Sequence, residues 1–277
     1  MAGKKKDTSL LHHLIGSRSL VWNLAKNDIK KKFAGSYFGV VWAFVQPVIT
    51  VLLYWFVFEK GLNSKATDLR TGIEIPFVLW LTAGLVPWFF FQDGLTGGTN
   101  SLLEYSYLVK KVVFQIDMLP VVKMISALFT HLFFVAFTIV LFICMGYMPD
   151  WYALQVVYYS FCMILFATGL VYATSAVTVF FRDMKEVVGI LLQIGMWVTP
   201  IMWNFETMVQ IPGWAIAVLK LNPMYYIVSG YRNALINHIG FWEDMGITVY
   251  FWVVTAVILF LGTTVFKRLR PHFADVL

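Results

Sequence analysis

Long apolar runs follow one another along this chain, separated by short polar connections. A helix needs about 20 apolar residues to cross a hydrocarbon core roughly 30 Å thick. Five runs meet that length clearly, and a sixth, shorter run holds Pro76, Gly84 and Pro87, so we expect it to be kinked or broken. The predicted spans are 38–58, 75–92, 121–147, 152–181, 187–205 and 247–266.

Two further apolar pieces, 211–219 and 221–231, are each too short to cross, and Asn222-Pro223 interrupts them. This pattern predicts a re-entrant helical hairpin over 206–238, because non-helical backbone at membrane depth is tolerated only where protein or a water-filled cavity covers it. The alternative is a pair of helices that lie on the membrane surface.

Composition agrees with this pattern. Hydrophobic residues make up 60% of the chain and charged residues 13%, whereas about a quarter of a soluble domain is charged. The expected fold class is therefore an all-α integral membrane protein with six transmembrane helices, formed by a single transmembrane domain over 37–277.

The distribution of Lys and Arg predicts the orientation. With both termini in the cytoplasm, 16 of the 21 basic residues fall on the cytoplasmic side, as the positive-inside rule requires. The five on the outer side are Lys60, Lys65, Arg70, Lys220 and Arg232.

The cytoplasmic N-terminal region, 1–36, contains a moderately amphipathic stretch over 20–34. Its apolar arc includes Val21 and Leu24, its polar face carries Lys26 and Lys30, and Asp28 disturbs the pattern. We expect a helix at the cytoplasmic interface, where basic residues meet anionic headgroups. A simple stop-transfer charge cluster is an equally good interpretation of this window.

Catalytic motifs are missing. The chain has no G-x-x-x-x-G-K-[ST] phosphate loop, no H-E-x-x-H and no G-x-S-x-G, so we expect neither catalytic residues nor ATP hydrolysis by this chain. Cys144 and Cys162 lie in apolar runs and indicate no disulfide framework and no metal site. The apolar spans hold one notable ionisable residue, His131, which we interpret as a packing residue.

The energy for transport must then come from a partner protein, and two cytoplasmic segments could contact that partner. After a Gly94–Gly98 hinge, residues 99–114 are expected to form a short helix across the membrane face. The charged turn 182–186 is the second contact. Either segment could equally be a solvated loop.

Several motifs, in order, resemble the permease subunits of ABC exporters that move lipid-linked polysaccharide across bacterial membranes. They are KKKFAGSYFG at 30–39 with Trp42 and Gln46-Pro47, GLVPWFF at 84–90, LVKKVVF at 108–114 with Leu119-Pro120, Phe181-Arg182-Asp183, Thr199-Pro200-Ile201, and Asn222-Pro223 with Arg232. Gln115 stands where the family often has proline. LKLNPMYYIV at 219–228 and RLRPHFAD at 268–275 are most similar to teichoic-acid permeases, with O-antigen and capsule permeases close behind.

The resemblance implies a homodimer, in the cytoplasmic membrane of a bacterium, docked on two copies of a separate ABC ATPase that binds ATP and Mg²⁺. It implies no cofactor in this chain and no nucleic-acid partner. The residues expected to couple to the ATPase are Asn100, Glu104, Tyr105, Tyr107, Lys110, Lys111, Arg182, Asp183, Lys185 and Glu186.

The implied substrate is a polyprenyl-diphosphate carrying teichoic acid or a similar glycopolymer, with its lipid tail in the membrane. Arg18, Lys30, Lys31 and Lys32 could attract the diphosphate, although ordinary positive-inside anchoring explains them too. The residues expected along the path are Trp42, Gln46, Tyr54, Trp55, Trp88, Tyr172 and Trp197, whose aromatic members could instead be interface anchors. The hairpin is expected to form an extracellular gate with Pro200, Pro212, Asn222, Pro223, Tyr225 and Arg232.

Two other functions remain open from the sequence. An ABC permease for a small drug or lipid would share this topology. A membrane-embedded glycolipid transferase would need clustered carboxylates or a metal site at one membrane face, and the sequence shows neither.

Overall fold

The computed structural model describes residues 18–32, 34–109, 115–203 and 212–277. Helices dominate these residues, which confirms the all-α class. The helices are α1 Arg18–Lys32, α2 Trp42–Trp55, α3 Phe77–Glu104, α4 Ser106–Val109, α5 Met118–Cys144, α6 Gln155–Phe180, α7 Met184–Val198, α8 Gly213–Lys220, α9 Pro223–Arg232, α10 Met245–Leu269 and α11 Phe273–Val276. Two two-residue strands, β1 Ala66–Thr67 and β2 Glu74–Ile75, pair antiparallel in the connection before α3.

Five helical stretches of the described residues are long and apolar enough to cross a membrane: 42–61, 77–104, 118–144, 151–180 and 245–276. The helix α7, in the predicted span 187–205, has 15 residues, about 22 Å at 1.5 Å per residue. It ends because Pro200 disfavours a helical conformation at Thr199, whose backbone is extended. The end of that predicted span lies outside the described residues.

Helix α3 is the centre of the bundle. Of the residues in its most apolar window, 83% are buried, compared with 6% in α2. It packs against α5 and α6 along much of its length, and also against α2, α7 and α9. The other elements are therefore positioned relative to α3.

The predicted break in α3 is wrong, because the helix runs through Pro87 to Glu104 without interruption. Neighbouring helices can satisfy the backbone groups that a proline leaves unpaired inside a membrane protein. The predicted hinge at Gly94–Gly98 is wrong for a related reason. A Cβ on Gly98 would lie 2.4 Å from Val171 of α6, and one on Gly94 would lie 3.0 Å from Met124 of α5, so these glycines permit close helix packing.

The separate helix predicted over 99–114 is correspondingly wrong in its first part. Residues 99–104 complete α3, and the short helix α4 follows after Tyr105. Residues 110–114 lie outside the described residues. The surface that a partner could contact is thus attached directly to the end of the most buried helix.

Two ends of the bundle can be distinguished by their residues. At one end, called here the basic end, α1 packs on α5 through Val21 and Ala25, and α11 packs on α6. At the opposite end lie the strand pair, α8, α9 and the start of α10. Two short helices, α8 and α9, lie in the region predicted as a re-entrant hairpin, and Asn222 caps α9 by accepting a hydrogen bond from the Met224 amide at 3.0 Å. Residues 206–211 of that prediction lie outside the described residues.

The helix predicted over 20–34 is present as α1, but its buried face differs from the predicted apolar arc. Val21, Ala25 and Asp28 are buried, whereas Leu20 and Trp22 are about 45% exposed. A carboxylate on the buried face explains why the amphipathic pattern is only moderate, since Asp28 has an ion-pair partner on α5.

The crossing of α6 and α10 leads to a first prediction. A Cβ on Gly262 would lie 2.0 Å from the Gly169 carbonyl oxygen. We expect Gly262→Ala to lower the free energy of unfolding by about 1–3 kcal/mol, because overpacking forces the helices apart. The measurement is the thermal unfolding midpoint of the purified protein. Gly189→Ala is the control, since a Cβ there meets nothing within 4 Å; equal midpoints for the two variants would contradict the crossing.

Candidate functional site

A cavity of about 460 Å³ lies between α2, α3 and α5. We call it the deep cavity. Its walls combine aromatic and aliphatic side chains with hydroxyl and amide groups and with the charged Lys32 and Asp93. The lining residues are Lys32, Ala43, Gln46, Pro47, Thr50, Tyr54, Val86, Phe89, Phe90, Gln92, Asp93, Thr96, Ala127, Thr130, His131, Phe134 and Met196.

A second cavity, of about 400 Å³, lies beside it at the basic end, and we call it the charged cavity. It is lined by Asp28, Lys31, Lys32, Asp93, Thr96, Gly97, Asn100, Glu104, Lys123, Ser126 and Ala127. Because Lys32, Asp93, Thr96 and Ala127 line both cavities, the two form one cleft, rich in charged residues at the basic end and lined further in by aromatic, aliphatic and neutral polar side chains.

An ion pair stands where the two cavities meet. The Lys32 ammonium lies 2.5 Å from the Asp93 carboxylate, and the side chains are 48% and 37% exposed. It joins the last residue of α1 to the middle of α3. Ion pairs this exposed contribute about 0–1 kcal/mol to stability, so the pair can open at little cost.

A buried ion network lies next to it and joins three elements. Asp28 of α1 accepts hydrogen bonds from the Lys123 ammonium and the Tyr105 hydroxyl, each at 2.7 Å. Lys123 of α5 also pairs with Glu104 at the end of α3. The Asp28 and Lys123 side chains are only 6% and 11% exposed, so this network holds α1 firmly against the bundle.

The network sets the ionisation of its members. Burial alone raises the pKa of Asp28, but hydrogen bonds from Lys123 and Tyr105 outweigh burial and lower this pKa below its usual 3.8. The stabilisation from ionised Asp28 is therefore present above about pH 4 and is lost as the pH falls through the lowered pKa. Burial and the bond to Asp28 raise the pKa of Tyr105, so its hydroxyl remains a donor at neutral pH.

The predicted coupling residues lie at the basic end but differ in exposure. Tyr107 and the turn residues Arg182, Asp183, Lys185 and Glu186 are exposed. Asn100 and Glu104 line the charged cavity. Tyr105 is buried in the ion network and is 4% exposed, so it can affect a partner only through its neighbours. Lys110 and Lys111 lie outside the described residues.

The C-terminal residues complete the basic end. Phe273 of α11 packs against Phe180 and Phe266, at centroid distances of 6.1 and 5.4 Å. Arg270 lies 3.5 Å from Asp117, just before α5. The end of the chain thus supports the turn that follows α6.

Two of the four residues predicted to attract a headgroup, Lys31 and Lys32, line the charged cavity, whereas Arg18 and Lys30 are exposed on α1. Lys31 also lies over the Tyr105 ring, 5.2 Å from its centroid. The structure therefore brings these two lysines to the cleft.

The predicted path residues separate into three groups. Gln46 and Tyr54 line the deep cavity. Trp42 and Trp197 are exposed, and Trp55 is half-buried. Trp88 and Tyr172 are buried in helix contacts, where Trp88 lies against Gly195 of α7 and the Tyr172 hydroxyl donates to the Asp117 carbonyl at 2.9 Å. Neither of these two lines the cleft.

His131 also lines the deep cavity, and it is buried. Its Nε2 lies 3.0 Å from the Tyr231 hydroxyl and 3.3 Å from the Ser160 hydroxyl. These contacts agree with its interpretation as a packing residue between α5, α6 and α9.

The predicted gate residues are connected across the break after α7. The Asn222 amide donates to the Thr199 hydroxyl at 2.7 Å. Arg232 is buried and donates to the carbonyls of Pro200 at 2.6 Å and Ile201 at 2.7 Å. Its guanidinium carbon lies 3.3 Å from the centroid of the Trp80 ring. Arg232 therefore ties α9 to both α3 and the broken end of α7.

The other predicted gate residues are placed differently. Pro200 is buried, Pro212 is exposed and Pro223 forms the first turn of α9. Tyr225 lines a small cavity of about 90 Å³ between α6, α9 and the start of α10. Gly84 makes room for Arg232, since a Cβ there would lie 2.7 Å from its terminal nitrogen.

Sequence reasoning missed the partners of three charged residues. Asp93 lies just beyond the predicted span 75–92, yet the structure places it in the middle of α3, and Lys123 lies near the start of α5. Asp28 carried a usable signal, since a carboxylate in the middle of an apolar helix face indicates a buried cation opposite it. The apolar pattern could not reveal which lysine that was.

The buried network predicts that α1 is held in place by a charge. In Asp28→Asn, Lys123 keeps Glu104 as its charged partner but loses its buried one, and removing one partner of a buried pair costs about 3–5 kcal/mol. We expect backbone hydrogen exchange in α1 to quicken by about tenfold or more. Asn27→Ala, on the exposed face of the same helix, is the control. Unchanged exchange in Asp28→Asn would show that α1 is held by apolar contacts alone.

The Arg232 contacts predict that lysine cannot replace it. Arg232→Lys removes the forked donor, and each lost hydrogen bond to a charged group costs about 1.5–3 kcal/mol. We expect a lower thermal unfolding midpoint for this variant. Arg182→Lys makes the same exchange at an exposed turn and should leave the midpoint unchanged. The role assigned to Arg232 is refuted if both variants unfold at the wild-type temperature.

Comparison with known proteins identifies the family of this chain. The family described as ABC-2 type transporter matches residues 19–236. The chain is similar to the O-antigen export system permease protein RfbA of Myxococcus xanthus, with 25% identity over 96% of this chain and 98% of that protein. Two permeases of the same name from Klebsiella pneumoniae are 22% and 21% identical, over 92% of this chain and 93% of each relative. This multi-pass membrane protein belongs to the ABC-2 type transporter family.

Proposed function

We propose that this chain is the membrane subunit of an ATP-driven exporter that moves a polyprenyl-diphosphate-linked polysaccharide across the bacterial cytoplasmic membrane. Family membership supports a transporter subunit. The names of three relatives that match nearly end to end support polysaccharide as the cargo class. The single observation that carries the proposal is the cleft, charged at the basic end and lined further in by aromatic and neutral polar side chains, beside the surfaces a partner can contact.

The cargo within that class is a narrower question. The relatives named above are O-antigen permeases, which favours an O-antigen-like polysaccharide. The motifs at 219–228 and 268–275 favour teichoic acid. Both polymers are carried on a polyprenyl diphosphate, so the cleft serves the same carrier lipid in either case.

The charged cavity suits the diphosphate of such a carrier, and the deep cavity offers contacts to its sugar. Lys31 and Lys32 offer positive charge at the basic end, where a diphosphate in the cytoplasmic leaflet would arrive. Gln46, Thr50 and Tyr54 offer hydrogen bonds on the α2 wall of the deep cavity, and Tyr54 offers a ring on which a sugar can stack.

The proposed energy source is an ABC ATPase that binds ATP and Mg²⁺, present in two copies on a homodimer of this chain. Tyr107 and the 182–186 turn are exposed at the basic end, and α4 follows directly on the buried helix α3. Force applied there reaches the bundle without a flexible linker. The sparse burial of α2 supports a second copy, or lipid, on that face.

The proposed gate is the hairpin of α8 and α9 on the extracellular side. Opening it requires the contacts of Asn222 and Arg232 with the 199–201 break to give way. Both are polar contacts at a discontinuity between helices, a usual position for a moving element.

Depletion of this chain tests the function. We expect surface polysaccharide to fall and its lipid-linked form to accumulate inside the cell, because synthesis continues while export stops. Inactivating the ATP site of the partner ATPase should give the same result. Unchanged surface polysaccharide after depletion would refute the proposed cargo, and copurification without any ABC ATPase would refute the proposed energy source.

Cysteine cross-linking provides the structural arm of this test. After Cys144 and Cys162 are replaced by serine, Tyr107→Cys and Lys185→Cys should each cross-link to the ATPase. Asp150→Cys, exposed at the opposite end, is the matched control and should not. Cross-links from Asp150→Cys alone would reverse the proposed orientation.

A further inference from the structure

Lys32 and Asp93 form an ion pair at the junction of the two cavities. Both residues line both cavities, together with Thr96 and Ala127. A molecule that occupies both cavities therefore lies next to this pair. The charges of Lys32 and Asp93 thus contribute to what can bind in the cleft.

The ion pairs of the charged cavity differ in burial. Lys123 and Asp28 are nearly inaccessible and hold helices together. Lys32 and Asp93 are about half and one-third exposed, and a pair of this kind contributes little net stability. One pair is structural, whereas the other can exchange its partner.

We propose that Lys32 is a binding site for the phosphate headgroup of a membrane amphiphile, and that the Asp93 carboxylate occupies this site until the headgroup displaces it. The proposal rests on the proposed function, in which the cargo is carried on a lipid diphosphate. It adds Asp93 as the residue that competes with the headgroup and so sets selectivity.

Charge explains why a diphosphate wins this competition. Asp93 brings one negative charge, and the phosphodiester of an ordinary phospholipid also brings one. A diphosphate carries more, and it can draw on Lys31, which lines the same cavity, as well as on Lys32. Asp93 therefore weakens the binding of singly charged headgroups more than that of the diphosphate.

The apolar part of the cleft supplies the second half of the site. Phe89, Phe90 and Phe134 line the deep cavity beyond Asp93. An amphiphile places its charged head at Lys32 and the first part of its apolar chain along these rings of α3 and α5, which leaves the α2 wall to the sugar, whereas free diphosphate gains nothing from the rings. The site thus recognises both parts of one molecule.

The test measures binding of farnesyl diphosphate, a polyprenyl diphosphate with a short chain, to the full-length protein in phosphatidylcholine nanodiscs. We expect Asp93→Asn to bind it about threefold more tightly or better, because the carboxylate that competes with the headgroup for Lys32 is gone. Lys32→Gln should bind it more weakly, and Lys32→Arg should restore part of the affinity. In Lys32→Gln/Asp93→Asn the gain should vanish, since it acts through Lys32.

A matched control exists at the opposite end, where Lys65 and Glu74 form an exposed pair at 2.7 Å. Glu74→Gln removes a carboxylate from a lysine as Asp93→Asn does, and it should leave binding unchanged. The proposal is overturned if Asp93→Asn binds no more tightly than wild type, or if its gain persists without Lys32.

Two competitors separate the possible sources of the phosphate. Inorganic diphosphate should compete poorly, and equal competition would overturn the role of the apolar cavity. Phosphatidylglycerol should compete poorly in wild type and well in Asp93→Asn. Equal competition by phosphatidylglycerol in wild type would overturn the selectivity assigned to Asp93.

The assay contains no ATPase and no nucleotide, so it is independent of export. If farnesyl diphosphate binds as expected but the complex exports no polysaccharide, the proposed function is refuted and the proposed headgroup site stands. Export that continues while Asp93→Asn has no effect on binding would refute the site alone.

Discussion

The rest of the structure depends on the close packing of α3, which three glycines permit. Gly84, Gly94 and Gly98 lie where α9, α5 and α6 approach the helix too closely for a side chain. Between helices in lipid the hydrophobic effect contributes little, so contact area and van der Waals packing decide how firmly they associate. Glycines that are usually expected to weaken a helix here make its burial possible.

A consequence of this packing is that distant features share one rigid element. The 28 residues of α3 extend about 42 Å. Trp80 near its start lies under Arg232, Asp93 in its middle pairs with Lys32, and Glu104 at its end pairs with Lys123. One uninterrupted helix therefore connects the basic end with the contacts of Arg232, without a hinge at the glycines.

The sequence predicted the class of fold, most helix positions and the two hairpin helices, because apolar run length and Asn222-Pro223 are local signals. Sequence-based prediction failed where the role of a residue depends on the side chains packed around it in the fold. Gly94–Gly98 has the same composition whether it bends a helix or packs against one. Gln46 and Tyr54 reach the cleft while Trp88 does not, and only tertiary packing distinguishes these side chains, since all three lie in similar apolar surroundings along the chain.

Charged residues show the same limit of sequence-based prediction. Asp28 and Asp93 both lie near lysines in the folded chain, yet one pair is buried and the other is open to the cleft. Burial converts an ion pair into a structural connection, because breaking it leaves a charge without water. Exposure makes a pair exchangeable, because water compensates either partner. The difference in burial, rather than the presence of charge, separates the residues that hold this cleft together from those that can bind a ligand within it.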